Sequence, residues 1–274
     1  MKKTVLVVAM VMMIFSASFA KAEEEITKPE PMFSVSGELF VRSAYVGDDG
    51  SVYYRGLVIQ PSIIISHNPS GFYIGMWGSG APGKNPTSDN GEGNNFGNEV
   101  DFLAGWGKEI GKATINFDYA YYKLFPLNKW GTGDIHSISV KVGYALTEKV
   151  NPYVKVIYDH VVDQAEQNGF IYRFGAVFSL HEHLKVDISF GGHGPIFGAR
   201  EEWISSGKIS VSFPYDIVKD KIVIPEKFDG VSIPVREKLF TIVPEISYQQ
   251  RFGYEVEDGG LAESILYAGL GCTF

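Results

Sequence analysis

Cysteine, long apolar runs and helical periodicity are all nearly absent from this 274-residue sequence. Its one cysteine is Cys272, so no intramolecular disulfide can hold the fold, and packing and hydrogen bonds must do so. We interpret Cys272 as a small apolar strand residue rather than a reactive thiol. After residue 22 no segment could cross a bilayer as a helix. If this chain spans a membrane, only a closed barrel pairs every backbone amide.

Positive charge is also scarce. The formal net charge is −8, and it becomes about −11 once the lysines of the N-terminal segment described below are removed. An acidic balance of this kind argues against nucleic acid as a partner, because nucleic-acid-binding proteins carry basic patches.

The N-terminus predicts export. Lys2 and Lys3 precede an apolar run over residues 5–15, which is followed by small residues. This order is typical of a secretory signal peptide, here residues 1–22, cleaved after Ala20 or Ala22. Residues 23–31 are charged and proline-bearing, so we expect a mobile leader. Residues 32–274 then form the remaining domain.

The C-terminal strand has one apolar face. Side chains alternate between the two faces of a strand. One face carries Leu266, Ala268, Leu270, Cys272 and Phe274, and the other carries Tyr267, Gly269, Gly271 and Thr273. A soluble sandwich strand could show the same alternation. A strand that ends on phenylalanine with no polar tail is more typical of an outer-membrane barrel, whose terminal aromatic lies in the interfacial girdle.

The rest of the chain is predicted as alternating strands separated by turns, which is the pattern of a transmembrane barrel. The predicted strands are residues 33–46, 52–66, 72–79, 99–106, 113–122, 136–144, 153–160, 170–180, 184–191, 207–213, 239–251 and 261–274. The fold class is therefore all-β, an antiparallel up-and-down transmembrane barrel of about 12 strands. Residues 214–238 are the ambiguous stretch. They are either an excursion outside the barrel or one more hairpin, which would give 14 strands.

The connections between predicted strands alternate in length. If the N-terminus is periplasmic, the connections on that side are short, namely residues 68–71, 107–112, 147–152 and 181–183. The intervening ones, residues 81–97, 124–134, 161–169 and 192–206, are longer. Outer-membrane barrels have short periplasmic turns and long external loops. In a soluble β-sandwich, the lengths of successive connections are not expected to alternate in this way.

The middle of the chain resembles the TorF-type porins, a family of exported bacterial proteins. The resemblance rests on the Gly-Phe-Tyr-Ile-Gly-Met-Trp-Gly-Ser strand of residues 71–79 and the Glu99-Val100-Asp101 strand after the loop. Tyr54-Arg55-Gly56, Gly105-Trp106 and Tyr121-Tyr122 add to it, and it covers roughly residues 50–190. An extra Gly-Asp-Asp-Gly turn precedes the Tyr-Arg-Gly element, and residues after 192 match no pattern of the family. The resemblance implies an outer-membrane barrel and brings no catalytic or binding residues.

Acidic and basic residues balance on the predicted inner face. The predicted pore-lining residues are Glu38, Arg42, Asp101, Asp118, Lys141, Lys155, Asp159, Arg173, Lys185, Asp187 and Lys208. A strongly selective pore would carry a ring of like charge, so the balance predicts weak ion selectivity. The alternative is that these charges pair across neighbouring strands and close a structural barrel.

Five aromatic residues lie near predicted strand ends or at the C-terminus and are predicted at the membrane interfaces: Trp77, Trp106, Trp130, Trp203 and Phe274.

Catalysis is not expected. His67 and Ser70 fall in a tight turn that Pro69 and Gly71 explain without chemistry, and no triad accompanies them. His181-Glu182-His183 also reads as a turn rather than a metal site. Residues 81–97 lack the spacing of a calcium loop.

The predicted function is passive diffusion of small hydrophilic solutes or ions through an outer-membrane barrel, with no cofactor, no metal and no enzymatic activity. The expected partners are outer-membrane lipid and lipopolysaccharide, the barrel-assembly machinery acting on the Phe274 strand, and the solutes. The alternative is a non-conducting scaffold, adhesin or receptor barrel that uses residues 81–97 and 124–134 as its contact surface.

Overall fold

The computed structural model describes residues 31–48, 50–82, 98–124, 134–196, 202–223, 233–251 and 264–274, and gives only the backbone for residues 219–223 and 233–238. The signal peptide and nearly all of the predicted leader lie outside the described residues. In the described part of the chain, no helix is long and apolar enough to cross a membrane.

Strands make up almost all of the described chain. They are β1 (Phe33–Val46), β2 (Val52–His67), β3 (Phe72–Ser79), β4 (Glu99–Ile110), β5 (Ala113–Leu124), β6 (Ile135–Tyr144), β7 (Val150–Val161), β8 (Gly169–His181), β9 (Leu184–His193), β10 (Glu202–Ser212), β11 (Tyr215–Val223), β12 (Ile233–Arg251) and β13 (Ser264–Thr273). A single turn of 3-10 helix at Ala165–Gln167 connects β7 and β8.

These strands form one closed antiparallel barrel. Each strand from β1 to β10 pairs with its neighbour in sequence, β13 pairs with both β12 and β1, and β10 pairs with β12. The ring therefore contains 12 strands. Closure leaves no strand edge unpaired within the ring, which is the property that a barrel needs in a bilayer.

Strand β11 is the continuation of β10 and not an additional strand of the ring. Ser212 pairs with Glu245, the Phe213 amide donates to the Pro244 carbonyl at 2.9 Å, and Tyr215 pairs with Ile242, so the register with β12 is unbroken. β11 and the first half of β12 thus form a hairpin that projects beyond the ring. The prediction of 12 strands, with residues 214–238 largely outside them, is confirmed, and the alternative of 14 is wrong.

The two faces of each strand differ as the alternation predicts. On β13, Leu266, Leu270 and Phe274 are 70%, 54% and 65% exposed, whereas the intervening Tyr267 is 5% exposed. The same contrast recurs around the ring, with exposed large apolar side chains outside and buried polar ones inside. The barrel therefore has an apolar outer surface and a polar interior, the inverse of a soluble domain.

The barrel has two unlike ends. At the short-turn end lie Phe33, Phe274 and the tight turns around Asn68, Gly111 and Glu182. At the long-loop end lie the longer connections, of which the structure describes only parts. The connection from β1 to β2 is an exception, because it is short although it lies at the long-loop end.

Candidate functional site: the barrel interior

The interior is lined by the charged side chains that alternation predicts. Strand register and burial put Glu38, Arg42, Asp101, Asp118, Lys141, Lys155, Asp159, Arg173, Lys185, Asp187 and Lys208 on the face opposite the exposed apolar residues. Their position inside the ring follows from the fold. That they line an open pore stays a prediction.

A cavity of about 430 Å³ lies inside the ring. Side chains from most of the strands line it, and they include both acidic and basic groups, with β7 carrying one of each, Asp159 and Lys155. The acidic residues include Glu99 and Asp101 on β4, whereas Arg42 on β1, Lys155 on β7 and Lys208 on β10 are basic. β4 and β10 lie six strands apart in either direction around the ring.

The connection between β1 and β2 folds into this cavity, and we call its described residues, Gly47, Asp48, Gly50 and Ser51, the inward turn. Lys155 Nζ lies 2.6 Å from Asp48 Oδ2, and Arg173 Nη2 donates to the Asp48 carbonyl oxygen at 2.6 Å. Lys155 belongs to β7, the strand diametrically opposite β1. The inward turn therefore crosses the lumen and narrows it.

Local geometry explains how the inward turn reaches this position. The Gly47 amide donates to the Ser51 carbonyl at 2.9 Å, and the Gly50 amide donates to the Gly47 carbonyl at 3.0 Å, which closes a tight loop. Gly50 is buried with φ +88°, a conformation that residues with a side chain rarely adopt. A Cβ at Gly50 would lie 2.6 Å from Ser206 Cβ and 2.7 Å from Gln249 Nε2. Glycine is thus required where the inward turn meets β10 and β12.

Electrostatics stabilise the inward turn. The Lys155 ammonium is the main reason that the pKa of the Asp48 carboxyl lies well below its ordinary value; burial acts in the opposite direction, and Arg173 adds to the lowering. Asp48 is therefore ionised at neutral pH and remains attracted to the basic side of the lumen.

Other interior charges pair between strands of the ring. Arg42 donates from Nε to Glu245 Oε1 and from Nη1 to Gln60 Oε1, both at 2.5 Å. Asp118 accepts hydrogen bonds from Tyr73 and Ser139. Arg42–Gln60 and Asp118–Ser139 join neighbouring strands, as the alternative of a closed structural barrel predicts, whereas Arg42–Glu245 and Tyr73–Asp118 join strands that are next but one in the ring.

The acidic side of the lumen is less completely paired. The Tyr45 hydroxyl donates to Glu99 Oε1 at 2.5 Å. Two residues along β4, Asp101 is 6% exposed, and its Oδ1 has no hydrogen-bond partner among the described residues. A buried carboxylate oxygen without a donor is costly unless water or a solute reaches it.

The predicted interfacial aromatics divide between the two faces. Trp106 lies on the outer face near the short-turn end and donates from Nε1 to the Ser70 carbonyl at 2.8 Å. Trp203 is 47% exposed and its ring contacts Tyr172. Trp77 instead lines the interior cavity, because the alternation of β3 turns it inward. The prediction for Trp77 is therefore wrong. Trp130 lies outside the described residues.

Phe274 packs on Gly37 of β1 at the seam of the ring. The two residues exchange backbone hydrogen bonds of 2.8 and 2.9 Å. A Cβ at Gly37 would lie 2.5 Å from Phe274 Cζ, so glycine makes room for the ring. The C-terminal aromatic therefore covers the join between the first and last strands on the outer face.

The histidines in the turns make local hydrogen bonds and ring contacts. His67 Nδ1 lies 2.7 Å from Ser70 Oγ, but the same Oγ also contacts the His67 carbonyl and the Phe72 amide within its own turn. His183 stacks on Tyr215 at the base of the projecting hairpin. Within the described ranges, no group of three or more side chains could hold a metal ion.

Sequence reasoning missed the inward turn. The sequence predicts only an extra turn at Gly-Asp-Asp-Gly, residues 47–50. Its signal was its length, because it is the one short connection at an end where the others are long. A short acidic loop with glycine at both ends can bend into a lumen whose opposite wall is basic.

A closed ring of antiparallel strands with an apolar exterior and a charged interior has the architecture of porin barrels. The chain is similar in fold to the KdgM porin, with 7% sequence identity, a TM-score of 0.50, and coverage of 87% of this chain and 98% of that chain. It is also similar to the NanC porin, with 10% identity, a TM-score of 0.46, and coverage of 88% and 99%. At such identities the likeness concerns the fold alone.

The chain belongs to the Gcw_chp family, described as bacterial proteins of unknown function, whose family model matches residues 27–172. That match overlaps the stretch that resembles the TorF-type porins, and the finer name stays a prediction. No curated protein matches the chain.

Proposed function

We propose that this protein is an outer-membrane porin through which small hydrophilic solutes or ions diffuse passively, and that the inward turn sets the width of its lumen. The observation that supports this most directly is the cavity of about 430 Å³ enclosed by the ring and lined by charged side chains. Water and small polar solutes are the natural contents of such a space, because its buried charges need polar partners.

The outer surface supports the membrane location. Ile74, Ile204 and Leu266 are 62%, 52% and 70% exposed on the outside of the barrel. Exposed apolar area costs about 25 cal/mol per Å² in water, whereas hydrocarbon removes that cost. Contiguous apolar surface on this scale is typical of a lipid-facing band. Export through the signal peptide of residues 1–22 would deliver the chain to the envelope.

The paired charges inside the ring favour a second candidate, a non-conducting barrel. Asp48 connects the β1 side to Lys155 and Arg173 across the lumen, and Arg42 pairs with Glu245. If the lumen stays closed, the barrel would act through its surface as a scaffold, adhesin or receptor. The loops proposed for that contact, residues 81–97 and 124–134, fall almost wholly outside the described residues.

Planar-bilayer recording on the purified protein separates the two candidates. We expect steady current steps with weak preference between potassium and chloride, because acidic and basic residues balance inside the ring. Protein unfolded by heating serves as the control and should give no steps. If the folded protein gives no current steps at high concentration and liposomes that contain it do not swell in sugar solutions, the scaffold is supported and the pore is rejected.

We also propose that the strand ending at Phe274 is the segment through which barrel-assembly machinery recognises the chain. Phe274 is 65% exposed at the seam of the ring, where it is accessible from outside. Lipopolysaccharide is the proposed neighbour of the outer face at the long-loop end.

No covalent chemistry is proposed. Inhibition of a measurable hydrolase activity by a serine-reactive phosphonate would contradict that assignment.

A further inference from the structure

We propose that Lys155 and Arg173 form a binding site for the carboxylate of an anionic solute, that Asp48 occupies this site from within the chain, and that such a solute displaces the inward turn. The inference rests on the proposed pore function for its physiological meaning. It names what the proposed function leaves open, namely the chemical class of solute and the way in which the narrow lumen widens.

The basic side of the lumen is built as an anion site. Lys155 Nζ meets Asp48 Oδ2 at 2.6 Å. Arg173 is 7% exposed, and its Nη1 donates to Ser189 Oγ at 3.0 Å, which fixes the guanidinium while Nη2 donates to the Asp48 carbonyl. An ammonium beside an oriented guanidinium is a geometry that binds carboxylates through charge-assisted hydrogen bonds.

The site has more donors than the inward turn uses. Arg173 Nε is buried and has no hydrogen-bond partner among the described residues. The same holds for Ser206 Oγ and for both amide atoms of Gln249, side chains that are 0% and 1% exposed. Arg173 Nε and Gln249 Nε2 are donors, Gln249 Oε1 is an acceptor, and the Ser206 hydroxyl can be either. Buried polar groups are normally paired, so these groups around one space indicate a ligand that brings acceptors and hydroxyl donors.

These unpaired groups surround the inward turn itself. Ser206 Oγ and Gln249 Nε2 lie 2.8 and 2.7 Å from the position that a Cβ on Gly50 would take. When the inward turn leaves, the space that Gly50 vacates is bordered by their hydroxyl and amide groups. A hydroxyl-bearing carboxylate could then contact Lys155 and Arg173 with its charge, and Ser206 and Gln249 with its hydroxyls.

The basic residues of the lumen favour the same assignment. Lys155, Arg173 and Lys208 come from β7, β8 and β10, which lie on one side of the ring. A carboxylate that enters the lumen is attracted towards them, and so towards the atoms that Asp48 now occupies.

Displacement of the inward turn is feasible because its ion pair with Lys155 is partly exposed and the solute supplies another carboxylate for Lys155. The Asp48 side chain is 44% exposed, so a solute can approach it before it leaves. One carboxylate on Lys155 is exchanged for another, and the released Asp48 returns to water. The turn then acts as a tethered competitor, which lowers the apparent affinity for the solute by the fraction of time that it occupies the site.

Calorimetry on the folded protein in detergent micelles tests the site without reference to conduction. Gluconate is the probe, and sorbitol, which has the same carbon chain without the carboxylate, is its matched control. We expect wild-type protein to bind gluconate and not sorbitol. Asp48→Asn should bind gluconate about fivefold more tightly, since the internal competitor loses its charge, whereas Lys155→Gln should lose binding. Glu166→Gln and Lys149→Gln, on exposed turns, are the matched charge controls and should behave as wild type.

Conductance provides the second readout. Gluconate should raise the wild-type current saturably, and Asp48→Asn should be more conductive from the start and insensitive to gluconate. Equal binding of gluconate and sorbitol, or gluconate binding that survives in Lys155→Gln, overturns the site. Heat-shifted gel mobility confirms that each variant is folded. If all variants bind as expected and none conducts, the pore is rejected while the carboxylate site stands. If wild type conducts and gluconate does not bind, the reverse holds.

Discussion

Gly50→Ala should push the inward turn out of the lumen. Gly50 has φ +88°, which costs a residue with a side chain about 1–2 kcal/mol. The new Cβ would also lie 2.6 to 2.8 Å from atoms of Ser206 and Gln249, and overpacking of this kind costs about 1–3 kcal/mol. The substitution therefore adds roughly 2–5 kcal/mol to the inward position.

The contacts that oppose this are of the same size. The ion pair between Asp48 and Lys155 is partly exposed, and such pairs contribute about 1 kcal/mol or less. The hydrogen bond from Arg173 to the Asp48 carbonyl involves a charged donor and contributes about 1.5–3 kcal/mol. Because the added cost is comparable to this stabilisation, a substantial fraction of Gly50→Ala molecules should have the turn outside the lumen.

Single-channel recording in potassium chloride measures the effect. The mean conductance of Gly50→Ala should exceed that of wild type several-fold, and liposomes should admit larger sugars. Gly111→Ala is the matched control, because Gly111 also has positive φ, +62°, but nothing lies within 4 Å of its Cβ position, and it sits in a turn at the short-turn end. Folded Gly50→Ala protein with wild-type conductance would refute the assignment of the inward turn as the constriction.

Three further predictions concern the barrel itself. Ile138→Arg, on the outer face, should lower the free energy of unfolding in vesicles by about 2–4 kcal/mol. Lys141→Arg, on the inner face, should change it little. Equal effects of the two substitutions would contradict the assignment of the two faces. Phe274→Ala should reduce the amount of folded barrel in cells several-fold. It should change the free energy of folding in detergent by only about 1 kcal/mol, because the Phe274 side chain is 65% exposed. A large loss of stability in detergent would show that Phe274 acts through packing. Replacing residues 217–240 by a short turn should leave heat-modifiable gel mobility unchanged, since the described residues of this segment, 217–223 and 233–240, pair with each other in the hairpin. Loss of the folded band would show that the ring depends on this segment.

Alternation alone predicted most of the ring. β1 and β3 have the bounds read from the sequence, and the others differ mainly by a few residues at their ends. The period of two is a backbone property that does not depend on the partner strand. The largest departures are β12, which begins at Ile233 rather than 239, and β10, which begins at Glu202 rather than 207. In β10 the added residues include Ser205 and Ser206, which are polar and still buried. The sequence predicts residues 192–206 as a connection between strands.

The contents of the lumen were less predictable. The direction in which a turn folds is decided by residues far away in sequence, and Asp48 meets Lys155 across 107 positions. Trp77 was misassigned for a related reason. A tryptophan near a strand end fits an interfacial belt, but the parity of β3 and the nearby ring of Tyr45 place it inside. Parity gives the face of each residue, whereas contacts across the cavity require the closed ring.

The inward turn belongs to the first hairpin to be synthesised, yet its partners come from the second half of the chain. Asp48 meets groups on β7 and β8, and Gly50 meets β10 and β12, with separations of 107 and 125 residues for the two Asp48 contacts. None of these strands faces β1 until the seam between β1 and β13 has formed. Contacts of such long range form late in folding. We therefore expect each newly made barrel to pass through a stage with a wider lumen, which the inward turn narrows last.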